Sequence, residues 1–222
     1  MDTREILAAV DHTLLSVTAT KEEIKTLCRE AVEYGCAAVC VPPSYVALAK
    51  ACTQGQVAVC TVVGFPNGYS STAVKVFETQ DAVRNGADEI DMVINIGWLK
   101  DRLFSDILAE IKTVRAACRG KVLKVIVETC LLTDEEKGRM CAIVSAAGAD
   151  YIKTSTGFSA GGATAEDIAL LNRHRGPTLK IKASGGIRTT QDAERFLSLG
   201  ASRLGTSRIV KLVAERNSMK NE

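Results

Sequence analysis

Two lysines end short apolar segments and stand directly before loops of small residues. Lys153 ends the segment that begins at Tyr151 and precedes Thr-Ser-Thr-Gly, and Lys182 ends the segment that begins at Leu179 and precedes Ala-Ser-Gly-Gly. A lysine amine that is shielded from water can lose its proton and attack a carbonyl carbon, forming a Schiff base. The alternative is that each lysine only extends from a strand end into water.

The two lysines become more informative as a pair. If they lie on adjacent strands about 4.8 Å apart, their amines could come within roughly 5–6 Å of each other. At an effective dielectric constant of about 20, a cation ~6 Å away costs about 3 kcal/mol, or roughly two pKa units. One amine would then be partly neutral at pH 7. The alternative is a structural ion pair of Lys180 or Lys182 with Asp91, Glu89 or Glu128.

Asp91 interrupts the apolar segment from Ile90 to Ile94. A carboxylate in the middle of such a strand is costly to bury unless it is paired or hydrogen-bonded. We expect Asp91 to hold one of the lysines in its charged form and to transfer protons through a water molecule. A purely structural salt bridge is the alternative.

Glycine-containing loops follow two further expected strands. Ser-Gly-Gly-Ile-Arg begins at Ser184, and Gly-Thr-Ser-Arg begins at Gly205. Both lead into expected helices, whose first backbone N–H groups can bind a phosphate. Each loop alone could be no more than a tight turn, but the two together predict a phosphate site. The residues predicted to form it are Ser184, Gly185, Gly186, Gly205, Thr206 and Ser207.

The elements that must position these residues alternate along the chain. Eight expected strands are each followed by a helix, after a short opening helix. The strands are expected at residues 11–15, 36–41, 57–63, 89–95, 122–128, 151–154, 179–184 and 202–205. The helices are expected at 20–34, 44–52, 71–85, 101–118, 133–147, 164–173, 189–199 and up to about 217.

This repetition predicts a single-domain (β/α)8 TIM barrel over residues 1–222, with a short N-terminal helix. Several strands are nearly continuous apolar segments, as is typical of parallel strands covered by helices. A doubly wound open sheet is the main alternative. In a barrel of this kind, the loops at the carboxyl ends of the strands build the active site.

Composition excludes several other classes of function. The net charge is +2 with acidic and basic residues interspersed, so nothing indicates nucleic-acid or membrane-surface binding. No apolar segment approaches the ~18 residues of a membrane span. The eight cysteines contain no C-x-x-C pair, and the two histidines lie far apart, so we expect reduced thiols, a cytoplasmic protein and no metal site.

Four residues near the expected active-site end are weaker candidates. Asp11 and Thr13 lie on the first strand, at the end that faces the site. Cys40 ends the second strand, where a packed thiol is the simplest interpretation. We expect His12 to order the first loop rather than to take part in chemistry.

The motifs that contain these residues resemble the deoxyribose-phosphate aldolase family. The resemblance covers almost the whole chain in order, which makes it far more specific than any one motif. The matching blocks are Asp11-His12-Thr13-Leu14-Leu15, Cys40-Val41-Pro42-Pro43, Val63-Gly64-Phe65-Pro66, Asp88-Glu89-Ile90-Asp91-Met92-Val93, Lys124-Val125-Ile126-Val127-Glu128-Thr129, Lys153-Thr154-Ser155-Thr156-Gly157 and Lys182-Ala183-Ser184-Gly185-Gly186-Ile187-Arg188.

The resemblance implies a class I aldolase that needs neither a metal nor another cofactor. It would cleave 2-deoxy-D-ribose 5-phosphate reversibly into D-glyceraldehyde 3-phosphate and acetaldehyde. Lys153 would form the Schiff base, Lys182 would keep it partly neutral and assist proton transfer, and Asp91 would hold Lys182 and relay protons. Thr156 would join the substrate-binding residues, and the chain is expected to form a homo-oligomer, with a dimer favoured.

The chain departs from the family pattern at two places. Phe158 stands where some members have a basic residue that helps to bind the phosphate, and the last strand ends in Gly-Thr-Ser rather than a double serine. The backbone sites must therefore carry more of the phosphate binding here. Two other interpretations remain: a phosphosugar isomerase or synthase barrel without a covalent lysine, and a phosphate-binding barrel without catalysis.

Overall fold

Eight short parallel strands are hydrogen-bonded in chain order, and the first is also bonded to the last, so the sheet closes into a barrel. The computed structural model describes residues 1–218. The strands are β1 (Val10–Thr13), β2 (Ala38–Val41), β3 (Ala58–Val63), β4 (Glu89–Val93), β5 (Val122–Ile126), β6 (Tyr151–Lys153), β7 (Lys180–Ser184) and β8 (Arg203–Thr206).

Helices surround the barrel and connect successive strands. They are α1 (Thr3–Ala8), α2 (Lys21–Glu33), α3 (Val46–Thr53), α4 (Thr72–Arg84), α5 (Ile96–Lys100), α6 (Phe104–Ala117), α7 (Asp134–Ala146), α8 (Ala165–His174), α9 (Thr190–Ser198) and α10 (Ile209–Ser218). The predicted (β/α)8 barrel with a short N-terminal helix is confirmed, and the open-sheet alternative is wrong.

Local hydrogen bonds set the beginnings of several helices. At α2 the Thr20 hydroxyl accepts from the Glu23 backbone N–H, and the Glu23 carboxylate accepts from the Thr20 backbone N–H at 2.8 Å. Thr133 and Glu136 form the same capping box at α7. Both boxes follow from the local sequence, because their residues are three apart and need no tertiary contact to meet.

The predicted boundaries were wrong after β4 and β5. β4 ends at Val93, and Asn95 begins the unpredicted helix α5 by accepting a hydrogen bond from the Trp98 backbone N–H at 3.2 Å. The next helix consequently begins at Phe104 instead of residue 101. β5 ends at Ile126, and Glu128, predicted to end the strand, has a left-handed φ of 56° instead.

The ends of several other elements differ from the prediction by a few residues. A single 3-10 turn, Pro43–Tyr45, precedes α3, so the helix predicted from residue 44 begins later. β2 begins at Ala38 rather than residue 36, and β8 extends to Thr206. β1 ends at Thr13, which leaves Leu14 in a loop. These ends depend on how far neighbouring strands can pair, which local residue patterns do not specify.

The large apolar core lies between the sheet and the helices. Ile90 and Met92 of β4 belong to it, whereas Glu89 and Asp91, which alternate with them, are bonded to groups of other strands. A small apolar group of Ala38, Cys40, Cys60 and Val62 forms a separate cluster. Charged side chains thus occupy part of the barrel interior. Among residues 1–218, no helix has both the length and the apolar character needed to cross a membrane.

One buried ion pair joins two outer helices. Lys75 of α4 and Glu110 of α6 are 2.9 Å apart with fully buried side chains, and the Lys75 amine also donates to the Val93 carbonyl oxygen at 2.8 Å. Burial lowers the pKa of Lys75 and raises the pKa of Glu110. Each charge in this pair therefore depends on the other for its stability.

Removing one partner of this pair should destabilise the fold. We expect Glu110→Ala to lower the free energy of unfolding by about 3–5 kcal/mol, because it leaves a buried ammonium without its carboxylate. Urea denaturation monitored by circular dichroism would measure the loss. Glu22→Ala, which removes the carboxylate of the exposed pair with Lys25, is the control and should hardly move the midpoint. Equal midpoints for the two variants would contradict the expectation.

Candidate active site

The Asp91 carboxylate binds three lysines inside the barrel. One oxygen, Oδ2, accepts hydrogen bonds from the amines of Lys153 and Lys182, each at 2.7 Å. The other oxygen, Oδ1, accepts from Lys124 at 2.8 Å. Asp91, Lys124 and Lys182 have no exposed surface, and Lys153 is 3% exposed. The structure therefore brings together the three residues predicted to carry the chemistry and adds a third lysine.

Strand register explains why these side chains meet. Asp91 is the register partner of Lys124 on β5, and Lys153 is the partner of Lys182 on β7. Because Lys153 and Lys182 bond to the same oxygen at 2.7 Å, their nitrogens are separated by no more than twice that distance. That separation agrees with the amine-to-amine distance expected for neighbouring strands.

A second group of charged residues lies beside this carboxylate. Asp11 accepts hydrogen bonds from Lys182 and, at 2.6 Å, from Arg203. Glu89 pairs with Lys124 at 2.6 Å and with Arg203 at 3.1 Å. Lys124, Glu89 and Arg203 were not predicted as site residues. The available signal was the position of Glu89, two residues before Asp91 and hence on the same face of β4.

These contacts determine which groups stay charged. Burial alone would raise the pKa of Asp91, but the charges of Lys124, Lys153 and Lys182 outweigh it and hold the pKa well below its ordinary value. Burial alone would lower the pKa of Lys182, but Asp11 and Asp91 raise it above the ordinary lysine value. Lys182 is therefore a cation throughout the neutral pH range.

Asp11 and Lys124 are also held in their charged forms by their neighbours. Burial opposes ionisation of Asp11, yet Lys182, Lys124 and Arg203 lower its pKa. Burial likewise opposes the charge of Lys124, but Asp91 and other acidic neighbours raise its pKa well above the ordinary value. Each of these groups is held in its charged form by the opposite charges around it.

Cations outnumber carboxylates in this network. Lys124, Lys153, Lys182 and Arg203 are joined through Asp11, Glu89 and Asp91. Within the described part of the chain, Lys182 pairs with two carboxylates and Lys124 with three, whereas Lys153 pairs with Asp91 alone. Of the four cations, Lys153 therefore has the fewest carboxylate contacts among the described residues.

A pocket of about 490 Å³ opens at the carboxyl ends of the strands, and Lys153 is the lysine that lines it. All of the residues predicted to bind substrate phosphate line the same pocket, together with Thr13. The lining residues are Thr13, Leu14, Leu15, Ser16, Lys153, Thr156, Gly157, Phe158, Ser184, Gly185, Gly186, Ile187, Gly205, Thr206 and Ser207.

The loop after β7 has the geometry of an anion site. Gly185 and Gly186 have φ values of 77° and 76°, which side chains with a Cβ rarely adopt. The Ser184 Oγ atom is buried and has no hydrogen-bond partner among residues 1–218, and the Ser184 backbone N–H is fixed by the Thr154 hydroxyl at 3.1 Å. A Cβ added to Gly205 would lie against Ser184 Oγ. Ser184 is therefore held at the pocket with an unused donor.

The hydroxyl groups of Thr206 and Thr156, which were also predicted to bind substrate, form hydrogen bonds within the protein. Thr206 Oγ1 donates to the Ile187 carbonyl oxygen at 3.2 Å and accepts from the Arg208 backbone N–H at 3.0 Å, which links the loops after β7 and β8. Thr156 Oγ1 donates to Glu128 at 2.5 Å. Ser207 is exposed at the pocket.

The weaker candidates have distinct positions. Thr13 lines the pocket, and its hydroxyl donates to the Asp11 carbonyl oxygen at 2.8 Å. Cys40 is fully buried in the small interior cluster with Cys60, whose Sγ donates to Asp91 Oδ1 at 3.1 Å. His12 points away from the pocket, and its Nε2 is 2.7 Å from the Glu30 carboxylate of α2.

Phe158 lies at the mouth of the pocket, and its side chain carries no positive charge. Its ring is half exposed and packs edge-on against Phe65 of the loop after β3, with the ring centroids 5.3 Å apart. Apart from Lys153, the residues that line the pocket are therefore uncharged.

Two groups of side chains have a spacing suited to metal ligands. The ligand atoms of Cys40, Cys60 and Asp91 lie within 4.8 Å of one another, as do those of Asp11, Cys60 and Glu89. The carboxylates in both groups already accept hydrogen bonds from amines or a guanidinium. A metal ion would have to displace these cations, so the geometry favours an ion-pair network.

Comparison with known proteins identifies the family of this chain. A model of the DeoC/LacD aldolase family matches residues 5–205. The chain is 55% identical over 213 residues to the deoxyribose-phosphate aldolase of Streptococcus agalactiae, covering 96% of each chain.

Solved structures of similar proteins share the fold closely. A candidate deoxyribose-phosphate aldolase from Coccidioides immitis superposes with a TM-score of 0.93 at 45% identity, covering 98% of this chain and 87% of the other. The deoxyribose phosphate aldolase of Aeropyrum pernix, described as tetrameric, has a TM-score of 0.87 at 32% identity, covering 98% and 93%. The chain therefore belongs to the DeoC/LacD family of aldolases.

Proposed function

We propose that this aldolase cleaves 2-deoxy-D-ribose 5-phosphate reversibly into D-glyceraldehyde 3-phosphate and acetaldehyde, through a Schiff base on Lys153. One observation carries the assignment. Lys153 is the lysine that lines the pocket, and its amine shares an Asp91 oxygen with the fully buried Lys182. The identity of the substrate is inferred from the similar proteins, which are named deoxyribose-phosphate aldolase.

The cleavage begins at the aldehyde carbon of the open-chain sugar. The neutral Lys153 amine attacks this carbon, and loss of water leaves an iminium ion, which withdraws electrons from the adjacent bonds. The bond between C2 and C3 then breaks as the C3 hydroxyl loses its proton, releasing D-glyceraldehyde 3-phosphate. The remaining enamine takes a proton at C2, and hydrolysis of the iminium releases acetaldehyde and the free amine.

Lys182 and Asp91 support the proton transfers. Because the Lys182 amine bonds to the oxygen that also binds Lys153, a proton can pass among these groups over short distances. The positive charge of Lys182 also disfavours protonation of the neighbouring amine. The iminium electron sink explains why the proposed reaction uses no metal or other cofactor.

The phosphate of the substrate is proposed to bind at the loops after β7 and β8. The unpartnered Ser184 hydroxyl, the backbone of Gly185 and Gly186, and the Gly205-Thr206-Ser207 turn surround one end of the pocket that Lys153 lines. Thr156 would form part of the wall near the same lysine. The phosphate thus anchors one end of the sugar while its aldehyde reaches the amine.

Further aspects of the proposal concern the whole chain. We propose one domain over residues 1–222 that acts on small phosphosugar and aldehyde substrates in the cytoplasm. Eight free cysteines, six of them buried, support a reducing compartment. We also propose a homo-oligomer with a dimer favoured; the tetrameric relative supports self-association in the family.

Trapping of the intermediate tests the covalent step directly. We expect borohydride with acetaldehyde to add one ethyl group permanently to Lys153, because reduction fixes the iminium as a secondary amine. Peptide mass spectrometry would locate the label, and Lys153→Arg is the control that should remain unlabelled. Labelling at another lysine, or none, would remove this mechanism and favour a phosphosugar isomerase or synthase, or a non-catalytic binding barrel.

A pH profile tests the proposed effect of Lys182. We expect Lys182→Met to move the acid limb of the kcat/KM profile upward, because a cation that disfavours protonation of the nucleophile is gone. Activity at neutral pH should fall accordingly. Lys75→Met removes a buried lysine outside the pocket and should leave the limb in place. An acid limb that stays in place in Lys182→Met would contradict the proposed effect of Lys182 on the nucleophile.

The phosphate site can be tested at its unpartnered hydroxyl. We expect Ser184→Ala to raise KM for 2-deoxy-D-ribose 5-phosphate about tenfold, because a hydrogen bond to a charged group contributes about 1.5–3 kcal/mol. KM for unphosphorylated 2-deoxy-D-ribose should change little. The thermal midpoint should not fall, because the hydroxyl makes no bond within the protein. Equal effects on both substrates would place the phosphate elsewhere.

A further inference from the structure

Glu128 is a buried carboxylate beside the pocket that the proposed reaction does not use. It is 4% exposed. Its oxygens accept hydrogen bonds from neutral groups: the Thr156 backbone N–H at 3.2 and 3.3 Å, the Thr156 hydroxyl at 2.5 Å and, weakly, the Cys130 thiol at 3.9 Å. A buried carboxylate is costly without such bonds, so its position is tied to Thr156.

The backbone of Glu128 is also unusual. Its φ of 56° and ψ of 66° lie in the left-handed region, which costs a residue with a Cβ roughly 1–2 kcal/mol. Gln54 and Arg102 are the other described residues of this kind outside glycine, and both are exposed in turns. Strained backbone that persists in a buried position is characteristic of functional sites.

Neighbouring backbone bonds hold Glu128 in this conformation. The Val127 N–H donates to the Lys153 carbonyl oxygen at 3.0 Å, and the Thr129 N–H donates to the Thr154 carbonyl oxygen at 2.8 Å. The chain on both sides of Glu128 is thus attached to the residues around the proposed nucleophile. The left-handed conformation lets the side chain reach Thr156 from this position.

Thr156 transmits this contact to the pocket wall. Its hydroxyl accepts from the Phe158 backbone N–H at 3.0 Å while donating to Glu128. Thr156, Gly157 and Phe158 all line the pocket, and Phe158 packs against Phe65 across the mouth. The carboxylate therefore lies at the fixed end of the segment that forms one side of the substrate pocket.

We propose that Glu128 is a positioning residue, which sets the wall formed by residues 156–158 for the phosphosugar while taking no part in bond making. The inference rests on the proposed function for its substrate. A sugar phosphate spans the pocket and depends on this wall, whereas acetaldehyde is small enough to reach Lys153 without it. The loss of Glu128 should consequently weaken substrate binding and spare Schiff-base formation.

The variant Glu128→Gln tests whether Glu128 affects binding of the phosphosugar without affecting Schiff-base formation. The amide keeps one uncharged acceptor oxygen and replaces the other oxygen, which also faces the Thr156 N–H, with an NH2 donor, so the bonds to Thr156 become weaker. We expect KM for 2-deoxy-D-ribose 5-phosphate to rise about tenfold with kcat within about threefold, as loss of one hydrogen-bonded contact implies. Borohydride trapping of acetaldehyde at Lys153 should proceed at the wild-type rate. Hydrogen exchange at the Thr156 amide should become faster.

Matched variants separate positioning from general destabilisation. Glu110→Gln alters a buried carboxylate that pairs with Lys75 away from the pocket, and it should lower the thermal midpoint with KM unchanged. Thr156→Val removes the hydroxyl partner and should raise KM as Glu128→Gln does. The double variant should raise KM no more than the larger single effect, because both changes break one contact. Thr156→Val also provides the test if Glu128→Gln does not fold.

Three outcomes would overturn the inference. They are an unchanged KM in Glu128→Gln, an additive effect in the double variant, and loss of acetaldehyde trapping together with kcat. Failure of the proposed function has a different signature, since wild-type protein itself would then escape labelling at Lys153. Even in that case, unchanged exchange at the Thr156 amide in Glu128→Gln would refute the positioning role.

Discussion

The shared carboxylate of Asp91 is the interaction on which the site depends. It gathers three lysines that would otherwise repel one another in a region from which water is excluded. Electrostatic interactions there are stronger than in water, so the arrangement of opposite charges decides which groups ionise. Lys124 and Lys182 have further acidic partners, whereas Lys153 has Asp91 alone. The least compensated amine is thus the one placed at the pocket.

This network requires the barrel to depart from an ordinary apolar interior. Glu89 and Asp91 alternate along β4 with Ile90 and Met92, which pack in the apolar core. Hydrophobic stabilisation therefore comes mainly from the layer between sheet and helices, while the interior holds charges in fixed positions. Preorganised charge of this kind costs stability but needs little rearrangement during a reaction. The small Cys40 and Cys60 side chains leave room for it.

The loops after the strands form the remaining walls of the pocket. The glycines after β7 and the Ser184 hydroxyl form one end of the pocket, and the segment held by Glu128 forms another side. Lys153 lies between these features on a rigid strand. Apart from Lys153 the pocket lining is uncharged, so the proposed phosphate binding would depend on the orientation of hydroxyl and backbone N–H groups. Accurate loop positions therefore matter more here than in a pocket that supplies a second cation.

The sequence by itself determined the eight strand and helix units, the capping boxes and the choice of Lys153, Lys182 and Asp91 as candidates. These features follow from local periodicity, from spacings of three residues and from motifs that resemble a known family. Only the tertiary structure decided the partners of each charge. Arg203 and Asp11 are far apart in the chain but meet because β8 closes against β1. The local pattern predicts that Glu128 ends a strand, whereas its left-handed backbone is stabilised by contacts with Thr156, Lys153 and Thr154 that no local pattern contains.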